Sequence, residues 1–329
     1  MKPAARLTRF IFILCLVSAT IAACGAPAAP TSVSTEPPIT PLRIAILPIL
    51  DAIPFYVARD AGYFTAQGVE VEFIPASSAA ERDQLIASGQ ADGMINDLVS
   101  VALYNRTDPQ VQVVRFMRVA TPDISVYRVL SSPNSQILSA KDLAGVEIGI
   151  SQGSIIDYVT DQMLKSEGLT ADQIVTVAVP KIPDRLSLLL SDKIQAATLP
   201  EPFATVAELG GAHTVVSDAN HLEVSNSVIS FRKAAIDTNP AGIRAFLAAV
   251  EQAVADINAN PNQWSALLAK ENLVPKDLLG TYAVPAFPTA SIPTQAQYDA
   301  VVEWALARGL ITQKSAYTAS VTSAFLPEP

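Results

Sequence analysis

The chain has 329 residues, enough for one or two domains with sizeable cores. Half of it is hydrophobic and 16% is charged, which excludes a disordered polymer. A formal net charge of −9 argues against the basic face that a nucleic-acid binder needs, and otherwise favours solubility.

In chain order, Lys2, Arg6 and Arg9 precede an apolar run from Phe10 to Ala19, with no acid before residue 24. That run has the length of a signal-peptide core and is too short to span a membrane. Ile21-Ala22-Ala23-Cys24 resembles the bacterial lipobox, with Ile21 where leucine is usual. The resemblance implies cleavage before Cys24 and lipid attachment to its thiol; the bland alternative is a secretory signal with an incidental cysteine. Cleavage removes three bases of 22 and leaves 19 against 31 acids. It also removes Cys15, so no internal disulfide is expected. Residues 24–41 are rich in proline, alanine, serine and threonine with one charge, Glu36, and read as an extended tether.

From Leu42 the pattern alternates between strands and helices. Strands are expected at Leu42–Leu47, Val69–Ile74, Asp92–Asn96 and Val111–Val119. Helices are expected from Pro54 to Gln67, from the capping box at Ser78–Glu81 to near Gly89, and from Asp97 to about Arg106. This order implies a mostly parallel sheet covered on both faces. A second unit has strands at Ser125–Leu130, Val146–Ile150, Ile174–Val179 and Ile194–Leu199. Its helices run over Ser154–Gly168, with Asp157 as capping-box acid, Pro183–Leu190 and Pro202–Leu209. Val224–Phe231 reads as a return strand. From Pro240 the chain is mainly helical, with breaks at Pro261, Pro275, Pro285 and Pro293. Trp264 and Trp304 read as packing residues there. Ser88–Asp92 and Ser191–Gln195 occupy corresponding places in the two units, which points to a repeated architecture.

Ile53–Phe64 followed by Gly68–Glu72, together with Leu85–Asp92, Leu143–Ile150 and Ala196–Pro202, resembles the periplasmic binding proteins for sulfonates, taurine, nitrate and thiamine-pyrimidine precursors. The resemblance covers about residues 42–310 and does not specify a ligand. It implies an α/β fold of two lobes, each a mostly parallel sheet flanked by helices and joined by two crossing segments. The first lobe is expected to combine 42–124 with 215–329, and the second to be 125–214. The function it implies is capture of a small organic solute and delivery to an ABC permease driven by an ATPase on a separate chain. The protein is expected to be exported, held at the membrane by its lipid, and monomeric, with no cofactor, metal or nucleic-acid partner. A ligand sensor without transport is the alternative of the same fold.

In an open α/β sheet the ligand sits beyond the carboxyl ends of the strands. The candidate ligand-binding residues there are Asp51, Ser77, Ser78, Asn96, Asp97, Ser151, Gln152, Ser154 and Glu201, with Phe55 as a ring to stack on. Each serine has an N-cap as its alternative reading, Asp97 a cap, Glu201 a solvated acid and Phe55 a core position. Three of the five loops carry an acid and none carries Lys or Arg, so the sequence favours a donor-bearing ligand such as an aminopyrimidine over an oxyanion. Gly149-Ile150-Ser151-Gln152-Gly153 also matches a nucleophile elbow, with Asp218 and His221 in hydrolase order. A secreted hydrolase built on Ser151 is therefore the alternative from another class, although no oxyanion motif accompanies it. A thiamine-pyrimidine synthase would need an active-site histidine and a cysteine-rich motif that the sequence lacks.

Overall fold

A computed structural model describes residues 41–274, 279 and 282–327, all within one compact unit, Ile39–Pro329. The signal, Cys24, the tether up to residue 40 and Pro275 lie outside the described residues. Among the described residues no helix is long and apolar enough to cross a membrane.

The first lobe opens with β1 (Leu42–Ile46), α1 (Ile53–Asp60), α2 (Tyr63–Ala66), β2 (Val71–Pro75), α3 (Ala79–Ala87), β3 (Gly93–Asn96), α4 (Leu98–Tyr104) and β4 (Val111–Arg118). The chain then crosses and builds β5 (Tyr127–Ser131), β6 (Glu147–Ile150), α5 (Ile155–Ser166), β7 (Val175–Ala178), α6 (Ile182–Leu190), β8 (Ala196–Pro200), α7 (Phe203–Leu209) and β9 (His213–Ser217). It crosses back into β10 (Ser227–Arg232), followed by α8 (Lys233–Thr238), α9 (Pro240–Ala259), α10 (Ser265–Lys270), α11 (Gln295–Ala307) and α12 (Tyr317–Ser320). The single helix expected over Pro54–Gln67 is two, because Gly62 takes φ +76° and turns the chain between them.

The sheets are ordered β2-β1-β3-β10-β4 and β7-β6-β8-β5-β9. Four strands of each share one direction, three of them side by side as parallel neighbours, as expected. The fourth in each order, β10 or β5, is antiparallel to both neighbours, so the sheets are mixed. The reason is the connection: β5 and β10 are the first strands after a crossing, and enter without the helical crossover that a parallel neighbour requires. Central β3 and β8 are buried along their whole length and read as apolar runs, while edge strands β2 and β7 are partly exposed. Strand β9 was absent from the sequence reading; it is short, half exposed and follows Gly210-Gly211. It pairs with β5, so the expected boundary at 215 falls inside a second-lobe strand, and the return crossing runs over 218–226.

The expected helix caps form with altered partners. Ser78 accepts from Glu81 N at 3.2 Å, but the Glu81 carboxylate returns to Ser77 N at 2.8 Å. Ser154 caps Ile156 N at 3.2 Å, while Asp157 takes Gly153 N at 2.9 Å. Phe55 is fully buried against Phe73 and Phe246, at ring distances of 5.9 and 5.2 Å; it is core and offers no face to a ligand. Helix α11 packs on α4 and also reaches the second lobe, where Trp304 Nε1 donates to Asp161 at 3.0 Å and Arg308 pairs with Asp157 at 3.2 Å.

Asp218 joins the two crossings. Its carboxylate accepts from Val126 N at 3.0 Å and Tyr127 N at 2.8 Å at the end of the first crossing, and from Ser225 Oγ within the second. Arg118, at the end of β4, donates to Ser125 O at 3.0 Å across the first. Asp218 is fully buried, so its removal strands two amides and a hydroxyl away from water. Asp218→Ala should lower unfolding free energy by about 3 kcal/mol. Urea denaturation checks this; a loss under about 0.5 kcal/mol, the scale of an ordinary surface substitution, contradicts the joint.

Candidate functional site

The carboxyl ends of β1 and β3 face those of β6 and β8 across a cavity of about 40 Å³, larger than the roughly 10–15 Å³ a water molecule requires. Asp51 reaches it from the turn after β1, Asn96 as the last residue of β3, and Asp97 from the cap of α4. Ser151 and Ser154 line it from the loop between β6 and α5. Tyr127 and Ser227, the first residues of β5 and β10, complete it, so the cavity wall adjoins both crossings. A neighbouring hollow of about 150 Å³ is lined by Gln152, Gly153 and the first turn of α3.

No basic residue stands beside these acids in their own loops; the fold supplies one to each. Arg82 on α3 lies 3.6 Å from Asp97, Arg118 on β4 lies 3.4 Å from Asp51, and Arg128 on β5 lies 2.6 Å from Glu201. Carboxylates this deeply buried are stable only with such partners. Glu201 also accepts from Thr205 Oγ1 and Tyr282 Oη, both at 2.9 Å, and does not line the cavity. The expected surplus of negative charge is therefore corrected, which removes the argument for an amine: each arginine lies on a helix or strand outside the strand-end loop that carries its acid. Tyr127 is held well above the ordinary tyrosine pKa, by burial first and then by Asp51, Asp97 and Asp218.

What the cavity has in excess is donors. Among the described residues, Asn96 spends its Oδ1 on Ser230 Oγ at 2.7 Å, and its Nδ2 is buried without a partner. Ser227 Oγ is buried and unpartnered too. Arg82 Nη2 sits 2.7 Å from Asp83 Oδ1 but out of line for a hydrogen bond. Native structures leave few such groups, and each calls for a partner.

The remaining candidates have local roles. Ser77 is exposed and donates its hydroxyl to Glu81 at 2.6 Å, and Ser78 is a cap. Ser154 Oγ donates to Ser151 O at 2.7 Å. Ser151 Oγ donates to Pro180 O at 2.9 Å and accepts from Arg185 at 2.8 Å. His221 is 3.0 Å from Glu167, and Asp218 is spent on the crossings, so the Ser-His-Asp alternative is not assembled. Arg82, Tyr127 and Ser227 were missed; nothing in their local pattern sets them apart from helix surface or strand core. Among the described residues no group of His, Cys, Asp and Glu is arranged to hold a metal ion.

Burial raises the pKa of Asp97 above the ordinary carboxylate value, against the pull of Arg82 and the Ser100 amide, which donates at 2.8 Å. A carboxyl raised in the folded state stabilises most below its unfolded pKa, and that contribution is lost as pH climbs through the folded value. Asp97→Asn keeps an oxygen for Ser100 and cannot ionise. Its stability relative to wild type should therefore rise as pH climbs from about 4 towards neutrality. Urea denaturation across that range tests this, and a difference independent of pH contradicts it.

Known proteins share this architecture. The chain is 25% identical over 187 residues to a protein of Escherichia coli (strain K12) designated as aliphatic sulfonates-binding; the match covers 56% of this chain and 58% of that one. Among solved structures, the alkanesulfonate-binding protein SsuA of Xanthomonas axonopodis pv. citri, bound to MOPS, superposes with a TM-score of 0.73 at 14% identity, over 88% of this chain and 99% of that one. The nitrate-binding protein NrtA of Synechocystis PCC 6803 does so with a TM-score of 0.68 at 15% identity, over 87% of each chain. At such identities the structures establish the fold alone, which is that of periplasmic binding proteins. Residues 50–264 match the family described as NMT1/THI5 like, and with more than half its length in that match the chain belongs to this family.

Proposed function

We propose that this protein is the solute-binding component of an ABC importer and that its solute carries an oxyanion group, of the sulfonate or nitrate kind. The observation that carries the reading is the pair of unpartnered buried donors, Asn96 Nδ2 and Ser227 Oγ, in a cavity shared by both lobes. A ligand oxygen can accept from both, whereas a protonated amine can serve only Ser227 Oγ, which accepts as well as donates. Pairing with Arg82 and Arg118 leaves Asp97 and Asp51 little net charge to repel an anion. The solute-binding relatives, designated for aliphatic sulfonates and for nitrate, support the same class.

Closure follows from the walls: Asn96 belongs to the first lobe and Ser151 to the second, so only a closed form grips a solute from both sides. In this reading the division is 42–118 with 227–327 against 127–217, hinged at the crossings. The closed protein then docks as a monomer on a membrane permease driven by a separate ATPase. The lipobox at Ile21–Cys24 supports export and a lipid anchor.

Two measurements test this. Calorimetry should find micromolar binding of ethanesulfonate or nitrate, and binding at least about tenfold weaker for 4-aminopyrimidine; the reverse order refutes the oxyanion. Cys24→Ala should move the protein from the membrane to the soluble fraction of its host; a mutant that stays with the membrane refutes the anchor.

A further inference from the structure

The two lobes repeat one another, and the repeat contains a mismatch of charge. Each lobe has a buried arginine at the fourth residue of the helix after its edge strand, Arg82 on α3 and Arg185 on α6. Each reaches a carbonyl on the third residue of the following central strand, Ile95 O at 3.5 Å and Thr198 O at 2.7 Å. Each of those strands is followed at once by an acid, Asp97 or Glu201. In the first lobe the acid serves the arginine, with Asp97 3.6 Å from Arg82. In the second, Glu201 has been taken by Arg128 at 2.6 Å.

Arg185 is left without a carboxylate among the described residues. Its guanidinium donates to Val179 O at 2.9 Å, Thr198 O, Ser151 Oγ at 2.8 Å and Pro180 O at 3.3 Å, all neutral acceptors. A fully buried charge with hydrogen bonds but no counter-charge is costly; burial pulls its pKa down to about 9. Two of its four acceptor residues, Ser151 and Pro180, are themselves walls of the inter-lobe cavity.

We propose that Arg185 is the specificity-determining charge of the site: a positioning residue, one layer behind the wall, whose missing counter-ion is the bound solute's own negative charge. This rests on the reading of the cavity as a solute site. The chain then selects anions over neutral molecules of the same shape, although the cavity lining itself is mostly apolar. Arg185 also fixes the loop between β6 and α5 through Ser151, and charge and positioning make different predictions.

The test is calorimetric titration of wild type, R185Q and R185K with sodium ethanesulfonate and with the neutral ethyl methyl sulfone, at constant ionic strength. Wild type should prefer the sulfonate by on the order of tenfold or more. R185Q should lose most of that preference while its sulfone affinity stays within about threefold. R185K should keep the preference near pH 6 and lose it towards pH 8, because a lysine in an acid-free buried position sheds its proton; wild type, whose guanidinium stays largely protonated up to pH 8, should not change over this range. A purely structural role predicts equal losses for both ligands and no such pH profile, and either result overturns the proposal. If R185Q does not fold, wild type and R185K still decide it. If wild type binds the sulfone as well as the sulfonate, the charge argument falls and the solute site stands. If it binds neither, both fall.

Discussion

Buried charge has to be neutralised or hydrogen-bonded where the two lobes meet, and that requirement organises the centre of this molecule. Two chain crossings converge there, and crossing segments lack the regular ladder that satisfies backbone groups in a sheet. Asp218 takes over that role for the first crossing and binds Ser225 of the second. Arg118 spans the same region, linking Ser125 O to Asp51. The strands that emerge from this joint, β5 and β10, enter their sheets antiparallel and place Tyr127 and Ser227 at the cavity. Crossings and cavity wall are thus one structure, and a group bound between the lobes sits directly against the segments that connect them.

The same requirement distributes the arginines. Arg82, Arg118 and Arg128 each meet an acid at the strand ends, and the wall is left close to neutral with donors to spare. Helix α11 adds a contact away from the cleft, with Trp304 and Arg308 resting on Asp157 and Asp161 of α5. These contacts hold the lobes in the arrangement described, in which the cavity is small. A site of this kind suits a compact polar group with its remainder in the neighbouring hollow beside Gln152.

Much of the fold was legible because its signals are local. Alternating strands and helices, the cap residues Ser78, Asp97 and Ser154, and the repeat of one βα unit all follow from nearest-neighbour chemistry. Strand direction was not, since it depends on which strand follows a crossing; β9 lacked any apolar run to announce it. Of the candidate site residues, Asp51, Asn96, Asp97, Ser151 and Ser154 line the cavity because they stand at strand ends. Their meaning was misread because an arginine that neutralises an acid need not be near it in sequence: Arg118 and Asp51 lie on different elements, and so do Arg128 and Glu201. Phe55 shows the opposite error, a residue with ligand chemistry that sheet packing claims for the core.

In the proposed function the inter-lobe cavity holds an oxyanion through polar groups, Asn96 Nδ2 and Ser227 Oγ, that have no partner among the described residues. A crystal structure of the protein grown with sodium ethanesulfonate tests it most directly. Sulfonate oxygens should lie within hydrogen-bonding distance of Asn96 Nδ2 and Ser227 Oγ, with both lobes in contact with the ligand. Sulfonate bound elsewhere, or a cavity in which those two groups keep no ligand partner at saturation, would contradict it.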